Sequence, residues 1–432
     1  MPDLAAEEPG ALRDVLVAMF RRVIRLYFRD IERLGAPPGP EVRGRVFVAN
    51  HTNALIDPIL VITDAACAIA PIAKSTLWDV PGLRWLLDRA GAVPIVRRSD
   101  APGKAAQTND DAFARIAEHL SAGGNVLIFP EGTSHSEPHL GPLRSGAARM
   151  LVAAGARAGV APTFQAVALE FDAPGDFRSR SLILWGPVRA LADVPGDAEA
   201  RVQAITAAMA ADLGDLLVEG DTHDERRRVA RVAELLATDA GERSLGAWSG
   251  IGRQVELANR TLRAVDAEIV ARVAERVDAY FAELERLGLR DVQVATRHAP
   301  APAAAPPRPR WQRAALAPLA AAGFALYAVP YWVPRWLARR FDPDAVSTIK
   351  LGAALVVYPV WCAGLVAASL WLLPAPWSVL GAAVAIASPF AALTWLDRWY
   401  QRTAEATPDD LARLAKLRAA ASAAIDEARS RL

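Results

Sequence analysis

A histidine and an aspartate stand six positions apart in the stretch NHTNALIDP, where the apolar run RVFVA ends. If a helix begins near Thr52 or Asn53, His51 and Asp57 face one opening. An ionised carboxylate accepting a hydrogen bond from one ring nitrogen fixes the imidazole tautomer. The other nitrogen is then free to take a proton from a hydroxyl, which makes the histidine a general base. The same two residues also fit a plainer arrangement, an aspartate capping a helical turn and a histidine bonded to backbone. On these residues alone both readings stand.

Two further stretches carry charge at the ends of β-type runs. GAVPIVRRSD delivers Arg97 and Arg98 as its strand ends. Adjacent residues on an extended strand point to opposite sides, so one of the pair faces any site there. An arginine so placed can fork two donors onto a phosphate or carboxylate; a surface pair is the plainer alternative. NVLIFPEGTSHSEPHLGPLRSGAARM begins as a buried strand that Pro130 ends. Glu131, Gly132 and Thr133 then form a turn, and Gly132 lets backbone approach a ligand closely. Glu131 is a carboxylate at a strand terminus, costly unless hydrated or partnered. Arg144 and Arg149 add positive charge beside the turn. His135 and His139 have the four-residue spacing of helical metal ligands, but Pro138 and Gly141 break any such helix and no third ligand is apparent, so no metal is expected.

Taken together, these motifs resemble the glycerolipid acyltransferase superfamily, the PlsC-type glycerol-3-phosphate and 1-acylglycerol-3-phosphate O-acyltransferases. The resemblance covers roughly residues 12–190. NHTNALIDP looks like the first family motif, GAVPIVR the second, FPEGTSHSEP the third, and APTFQAVALEF occupies the place of the fourth. KSTLW, beginning at Lys74, matches a stretch common in bacterial members. There are departures. Five residues rather than four separate His51 from Asp57, a longer form similar to one bacterial and fungal subgroup. Ser134 stands where an arginine often follows the third motif, which shifts phosphate charge onto Arg97, Arg144 or Arg149. Ala166 stands where the fourth motif usually has proline.

The resemblance implies acyl transfer from an acyl thioester to a hydroxyl of lysophosphatidate or glycerol 3-phosphate, in phospholipid biosynthesis. It implies His51 as general base oriented by Asp57. Arg97, Glu131, Gly132, Thr133, Lys74 and Arg144 are the expected acceptor-binding residues, with Arg97 on the phosphate and Glu131 on the hydroxyl or the loop. No cofactor is expected, only an acyl-CoA or acyl carrier protein thioester as co-substrate. Membrane lipids and the glycerol-phosphate acceptor are the expected partners. The alternative is a non-catalytic lipid-binding membrane scaffold; a transporter is disfavoured because the apolar C-terminal runs lack ionisable residues.

These residues need elements to hold them. The fold expected is an α/β acyltransferase core, a mixed sheet flanked by helices, with a helical segment and C-terminal transmembrane helices. Leu12–Leu34 reads as one basic amphipathic helix (domain 1–40), suited either to an anionic membrane surface or to packing on its own domain with a solvated arginine face. From 41 to 195, the runs RVFVAN, AVPIVR, NVLIFP, FQAVALEF and SLILWG alternate with helical stretches, the mark of a largely buried sheet. Residues 196–297 are charged and helical, with no function apparent, and 298–310 are a proline/alanine linker. Residues 311–400 form a membrane region, and 401–432 a C-terminal helix.

Within the membrane region Leu351–Leu396 is an uncharged run of 46 residues with Pro374 and Pro376 near its middle. It is read as two spans, 351–373 and 377–396, each close to the roughly 20 residues a bilayer needs. Lys350, Arg398 and Arg402 place both ends in the cytoplasm by the positive-inside rule. Ala314–Pro334, 21 uncharged residues, has arginines at both ends; a full crossing would put one cluster on the wrong side, so partial insertion is favoured. The expected location is the inner (cytoplasmic) membrane with the core facing the cytoplasm. Lys+Arg at 49 against Asp+Glu at 48 gives no basic excess for nucleic acid. The two cysteines are far apart and apolar in setting, which excludes a disulfide framework. The first ten residues lack the apolar core of a secretory signal.

Overall fold

The computed structural model describes residues 10–80, 82–96, 105–157, 159–190, 194–295, 310–341, 345–399 and 406–432. The backbone of residues 105–110, 310–315 and 397–399 is described without their side chains. The expected linker at 298–310 therefore lies almost wholly outside the described residues. The chain divides into two compact units, residues 1–226 and 227–432.

Among the described residues, the first unit has seven strands: β1 (Asp30–Leu34), β2 (Arg45–Ala49), β3 (Ala70–Lys74), β4 (Val93–Ile95), β5 (Val126–Ile128), β6 (Thr163–Phe171) and β7 (Arg180–Ala190). They form one mixed sheet in the order β1-β7-β6-β2-β5-β3-β4. Only β6 and β7 are antiparallel; every other neighbouring pair is parallel. A parallel strand covered on both faces must be apolar throughout rather than alternating. RVFVA and VLI obey this: Val46, Phe47, Val48, Val126 and Leu127 are all fully buried. On one face Val46, Val48 and Val126 pack under α4 (Ala105–Ser121), α5 (Gly146–Gly155) and α6 (Ala198–Gly214). On the other, Phe47 meets Trp185 edge to face at 5.8 Å. The Trp185 indole N–H donates to Asp64, at the end of α2 (Ile56–Asp64).

Two features differ from the sequence reading. The single helix expected over Leu12–Leu34 is α1 (Ala11–Tyr27) followed by β1. Phe28 turns extended, and Asp30–Leu34 pairs in parallel with Arg180–Leu184. Apolar positions up to Ile31 fit a helical period, but the open edge of β7 offers these backbone groups partners that a longer helix would leave it without. The core also runs past residue 195. Helix α6 buries Val202, Ile205, Met209 and Leu213 in the same apolar cluster as the central strands, because its apolar residues recur at three and four like those of any core helix.

The second unit contains α7 (His223–Asp239, which begins just before the division), α8 (Leu245–Val265), α9 (Ala267–Leu287), α10 (Asp291–Ala295) and α15 (Pro408–Arg429) as polar-faced helices. Leu235 of α7, Val277, Tyr280 and Leu284 of α9, and Leu414, Ala421 and Ile425 of α15 share one core. Asp291, fully buried, accepts from Tyr280 Oη at 2.7 Å and Arg418 Nε at 2.7 Å, fastening α15 to α9 and α10. Between α10 and α15 lie α11 (Arg310–Leu326), α12 (Ala328–Ala338), α13 (Val346–Leu372) and α14 (Trp377–Trp399). Val346–Leu372 and Trp377–Leu396 are long and apolar enough to cross a bilayer. Helices α11 and α12 are bent by 48° at their break.

Candidate functional site

The site grows from the C-terminal edge of the parallel strands, where α/β sheets commonly bind ligands. After β2 the chain turns through His51–Leu55 into α2. Asp57 lies in the first turn of α2 and is fully buried. One of its oxygens, Oδ2, accepts three hydrogen bonds: from Thr52 N at 2.9 Å, Asn53 N at 2.8 Å and His51 Nδ1 at 2.9 Å. An oxygen already taking two N–H groups is an acceptor, so the ring proton sits on Nδ1. Oδ1 is buried with no partner. The fifth residue between His51 and Asp57 is accommodated by Ala54 at φ +33°, a conformation that L-residues rarely adopt.

His51 is held from several sides. Its ring stacks on Phe129 at 4.1 Å and 21°. Its N–H donates to Glu131 Oε1 at 3.0 Å, and its C=O accepts from His135 N at 3.1 Å. Nε2 has no hydrogen-bond partner among the described residues. The preceding Asn50 makes a two-way clamp with the Leu169 backbone on β6, donating at 3.0 Å and accepting at 2.8 Å. Ring, backbone and strand end are thus fixed before any substrate arrives, while one imidazole nitrogen stays open.

Glu131 is the hub. It follows β5, is buried, and has both oxygens in use. Oε1 takes the His51 N–H; Oε2 takes the Gly141 N–H at 2.8 Å and the His135 ring Nε2. The role expected in binding an acceptor had two forms, the hydroxyl or the loop. The hydrogen bonds found go to the loop. Gly132 has φ +80°, and a Cβ there would lie 2.7 Å from Arg144 Nε, so the exposed Arg144 side chain lies across the glycine. Thr133 is exposed on the same turn. Lys74 ends β3, two strands from β2 along the same edge, half-buried. Arg97 lies outside the described residues, two positions beyond the end of β4.

Among the described residues no group of three or more His, Cys, Asp or Glu side chains could hold a metal ion. Cys67 precedes β3, at the other end of that strand from Lys74. It is free and buried, and burial pushes its thiol up, which keeps it protonated and a poor nucleophile.

Residues 31–165 match the family model described as Acyltransferase. This match supports the glycerolipid acyltransferase superfamily for the core. Over 121 residues the chain is 28% identical to a chloroplastic 1-acyl-sn-glycerol-3-phosphate acyltransferase of Brassica napus, covering 28% of this chain and 33% of that one. It is 33% identical to a lyso-ornithine lipid O-acyltransferase of Pseudomonas aeruginosa over 30% of this chain and 44% of the relative. It is 35% identical to glycerol-3-phosphate O-acyltransferase 2 of Saccharomyces cerevisiae over 18% and 11%. The chain thus spans less than half the length of these relatives. Crystalline PlsC of Thermotoga maritima, a 1-acyl-sn-glycerophosphate acyltransferase, aligns at 18% identity and TM-score 0.33 over 46% of this chain and 81% of that one.

In this acyltransferase core several site residues had gone unread in the sequence. His135 drew notice only for its spacing from His139, yet it is the ring partner of Glu131. The signal was present: a buried carboxylate needs donors, and His135 lies four residues downstream. Asn50 and Phe129 open the first and third motifs, but their roles could have been found only from the pairing of β2 with β5 and β6. The turn 131–145 is also tied to the chain after α6. Glu219 accepts from Leu140 N at 2.7 Å, and Gly220 N donates to Pro138 O at 3.1 Å.

Proposed function

We propose that this protein is a membrane-bound O-acyltransferase that moves a fatty acyl group from an acyl thioester to a hydroxyl of lysophosphatidate or glycerol 3-phosphate. One observation carries the reading. In an acyltransferase-family core, His51 is bonded through Nδ1 to a buried carboxylate while Nε2 is left open. An alcohol has a pKa far above neutrality, so its proton must leave as the oxygen attacks. Nε2 takes that proton, the new C–O bond forms at the thioester carbonyl, and Asp57 stabilises the imidazolium. On collapse the C–S bond breaks and the proton passes from Nε2 to the departing thiolate. General-base help of this kind contributes roughly 10²–10⁴-fold. The Gly132 turn and Arg144 supply N–H groups and positive charge for the oxyanion or the acceptor phosphate, each such donor contributing about 3–4 kcal/mol in comparable sites. Lys74 and Arg97 are assigned to the acceptor as well.

Membrane attachment is supported by α13 and α14. It is also supported by α1, whose outward side carries Leu12, Val15, Met19 and Leu26, all more than 40% exposed. Arg13 and Arg21 of that helix are turned inward, donating to the Ile69 and Thr63 carbonyls. Similarity to the Pseudomonas lyso-ornithine lipid enzyme favours a second acceptor, another lysolipid hydroxyl.

The test is to offer membranes containing the full chain labelled glycerol 3-phosphate, lysophosphatidate or lyso-ornithine lipid, each with acyl-CoA or acyl carrier protein thioester. One acceptor should be acylated, and His51→Ala should abolish product while membrane association persists. Acylation that survives His51→Ala would refute the mechanism. No acylation of any acceptor would favour the lipid-binding scaffold.

A further inference from the structure

The membrane region holds three apolar stretches, and how many of them cross decides on which side each neighbouring segment lies. We propose that the chain crosses the bilayer twice only, through α13 and α14. Helices α11 and α12 enter and leave on the side that carries α9 and α15. They present an arginine–tryptophan rim to the phospholipid headgroups of that side. The inference deepens the membrane-bound reading and rests on it.

The first argument is parity. Helices α7–α10 precede the membrane region in the chain and α15 follows it, yet they share one core. Val277, Tyr280 and Leu284 pack with Leu414, Ala421 and Ile425, and the fully buried Asp291 pairs with the partly buried Arg418 beside them. Segments that fold into one polar-faced bundle lie on one side of a bilayer. The number of complete crossings between Ala295 and Pro408 is therefore even. Helices α13 and α14, joined by the short turn at 373–376, supply two. A third crossing by α11–α12 would make the number odd.

The second argument is register, and it does not depend on the first. A Cβ on Gly323 would touch the Ser388 carbonyl and Ala392, while Tyr327 Oη donates to Ala385 O at 2.8 Å. As α11 advances its partners on α14 recede, so the two run antiparallel. The start of α11 and the end of α14 thus share a side, and so does the start of α13, the other arm of the α13–α14 hairpin. At its far end α11 reaches only the middle of the spans. The Leu326 carbonyl accepts from Trp361 Nε1 at 2.9 Å, and the Tyr327 ring stacks on Tyr358 at 5.9 Å. Both partners lie near the midpoint of Val346–Leu372, as Ala385 does in Trp377–Leu396. From that depth the chain must arrive at Val346, 12 residues before Tyr358, or about 18 Å back along α13 at 1.5 Å per residue. The 48° bend between α11 and α12 does not reverse the chain by itself; the position of the next helix start requires the return.

The surface chemistry of α12 fits that return. Pro330, Pro334 and Ala338 are buried, while Trp332 and Trp336 are 55% and 54% exposed. The Arg335 guanidinium lies 4.3 Å over the Tyr331 ring, and that of Arg340 lies 4.5 Å over Trp336. Indole rings beside arginine are the chemistry of the headgroup layer, and arginine is costly at mid-bilayer.

The test uses the full chain with Cys67 and Cys362 replaced by alanine, in sealed vesicles of known orientation, labelled with a membrane-impermeant maleimide. Ser244→Cys in the bundle, Arg339→Cys after α12 and Ser430→Cys after α15 should all label from one face and lose labelling from the other. Ala375→Cys, or Ser378→Cys should the turn not tolerate the first, should show the reverse. Arg339→Cys labelling from the face of residue 375, or Ser244→Cys and Ser430→Cys labelling from opposite faces, overturns the inference. Release of the whole protein by alkaline carbonate would instead remove the membrane-bound reading itself.

Discussion

Glu131→Gln separates a carboxylate that touches the acceptor from one that holds the histidine. The change keeps size and shape and removes one of two acceptor oxygens. Glu131 Oε1 takes the His51 N–H at 3.0 Å and Oε2 takes the Gly141 N–H at 2.8 Å. An amide has one oxygen, so whichever way it flips, one N–H faces an NH₂ group. A buried donor left unsatisfied costs about 1–3 kcal/mol. A domain of this size loses about 2–4 °C of melting temperature per kcal/mol, so a fall of roughly 2–12 °C is expected. The kinetic effect follows from the same loss. The His51 backbone is released on one side, and a shift of about 1 Å in a reacting group costs on the order of 10²-fold. The expected phenotype is therefore a kcat lowered by about 10–10²-fold, with acceptor KM little changed and a lower melting temperature. Thiol release from the acyl thioester, followed at varied acceptor concentration, reads both constants; thermal scanning of the same preparation reads stability. An unchanged melting temperature with a raised acceptor KM and an intact kcat would refute the reasoning and return Glu131 to the acceptor.

Three other outcomes are expected. Asp57→Asn can still present an oxygen to Thr52 N, Asn53 N and His51 Nδ1, which all meet at Oδ2, but it loses the charge that stabilises the imidazolium; single-turnover acyl transfer should slow by about 10²–10⁴-fold with thioester KM unchanged. Gly132→Ala meets both a φ of +80° and Arg144 Nε at 2.7 Å. Adding Arg144→Ala should relieve the clash but leave the left-handed strain of about 1–2 kcal/mol, so the double variant should recover only part of the lost melting temperature. In the helical bundle Glu283 is held below the ordinary carboxylate range first by its hydrogen bond from Arg286, and Asp410 first by that from Thr407. Both bind protons less readily folded than unfolded, so their contribution is complete above the unfolded carboxylate pKa of about 4 and is lost as pH falls through the lower folded values. Thermal unfolding between pH 6 and 2 should show that loss, and Arg286→Gln should reduce it; an acid profile unchanged by Arg286→Gln would count against the Glu283 assignment.

How much of this was legible in the sequence depended on range. Apolar runs that must be buried on both faces announce themselves, so RVFVA, VLI and FQAVALEF were readable as strands. The two long uncharged runs around Pro374 and Pro376 were readable, from length and composition, as helices apolar enough to cross a bilayer. Strand β3, APIAK, was not: it is short, holds a proline, and is recognisable only by its pairing with β4 and β5. Strand β1 was hidden because DIERL continues the helical period of α1 and becomes a strand only where β7 offers it an edge. The relation of His51 to Asp57 was readable because it is local, although α2 begins at Ile56, later than the start expected near Thr52 or Asn53. The three-way tie of His51, Glu131 and His135 was not, because it joins loops 80 residues apart.

The same contrast explains the membrane region. Its sequence fixes which segments are apolar enough to enter a bilayer, but an apolar helix looks the same whether it crosses or turns back. Arginines at both ends of Ala314–Pro334 already argued for a return, on the ground that crossing would strand one cluster. That is an argument from cost. The packing of α15 against α9 supplies a different one, from connectivity: two segments in a common core cannot be separated by an odd number of crossings, whatever the charges do. Charge and core agree here because the bundle closes around Asp291 and Arg418. Removing Arg418 leaves the fully buried Asp291 without its charge partner, at a cost of about 3–5 kcal/mol.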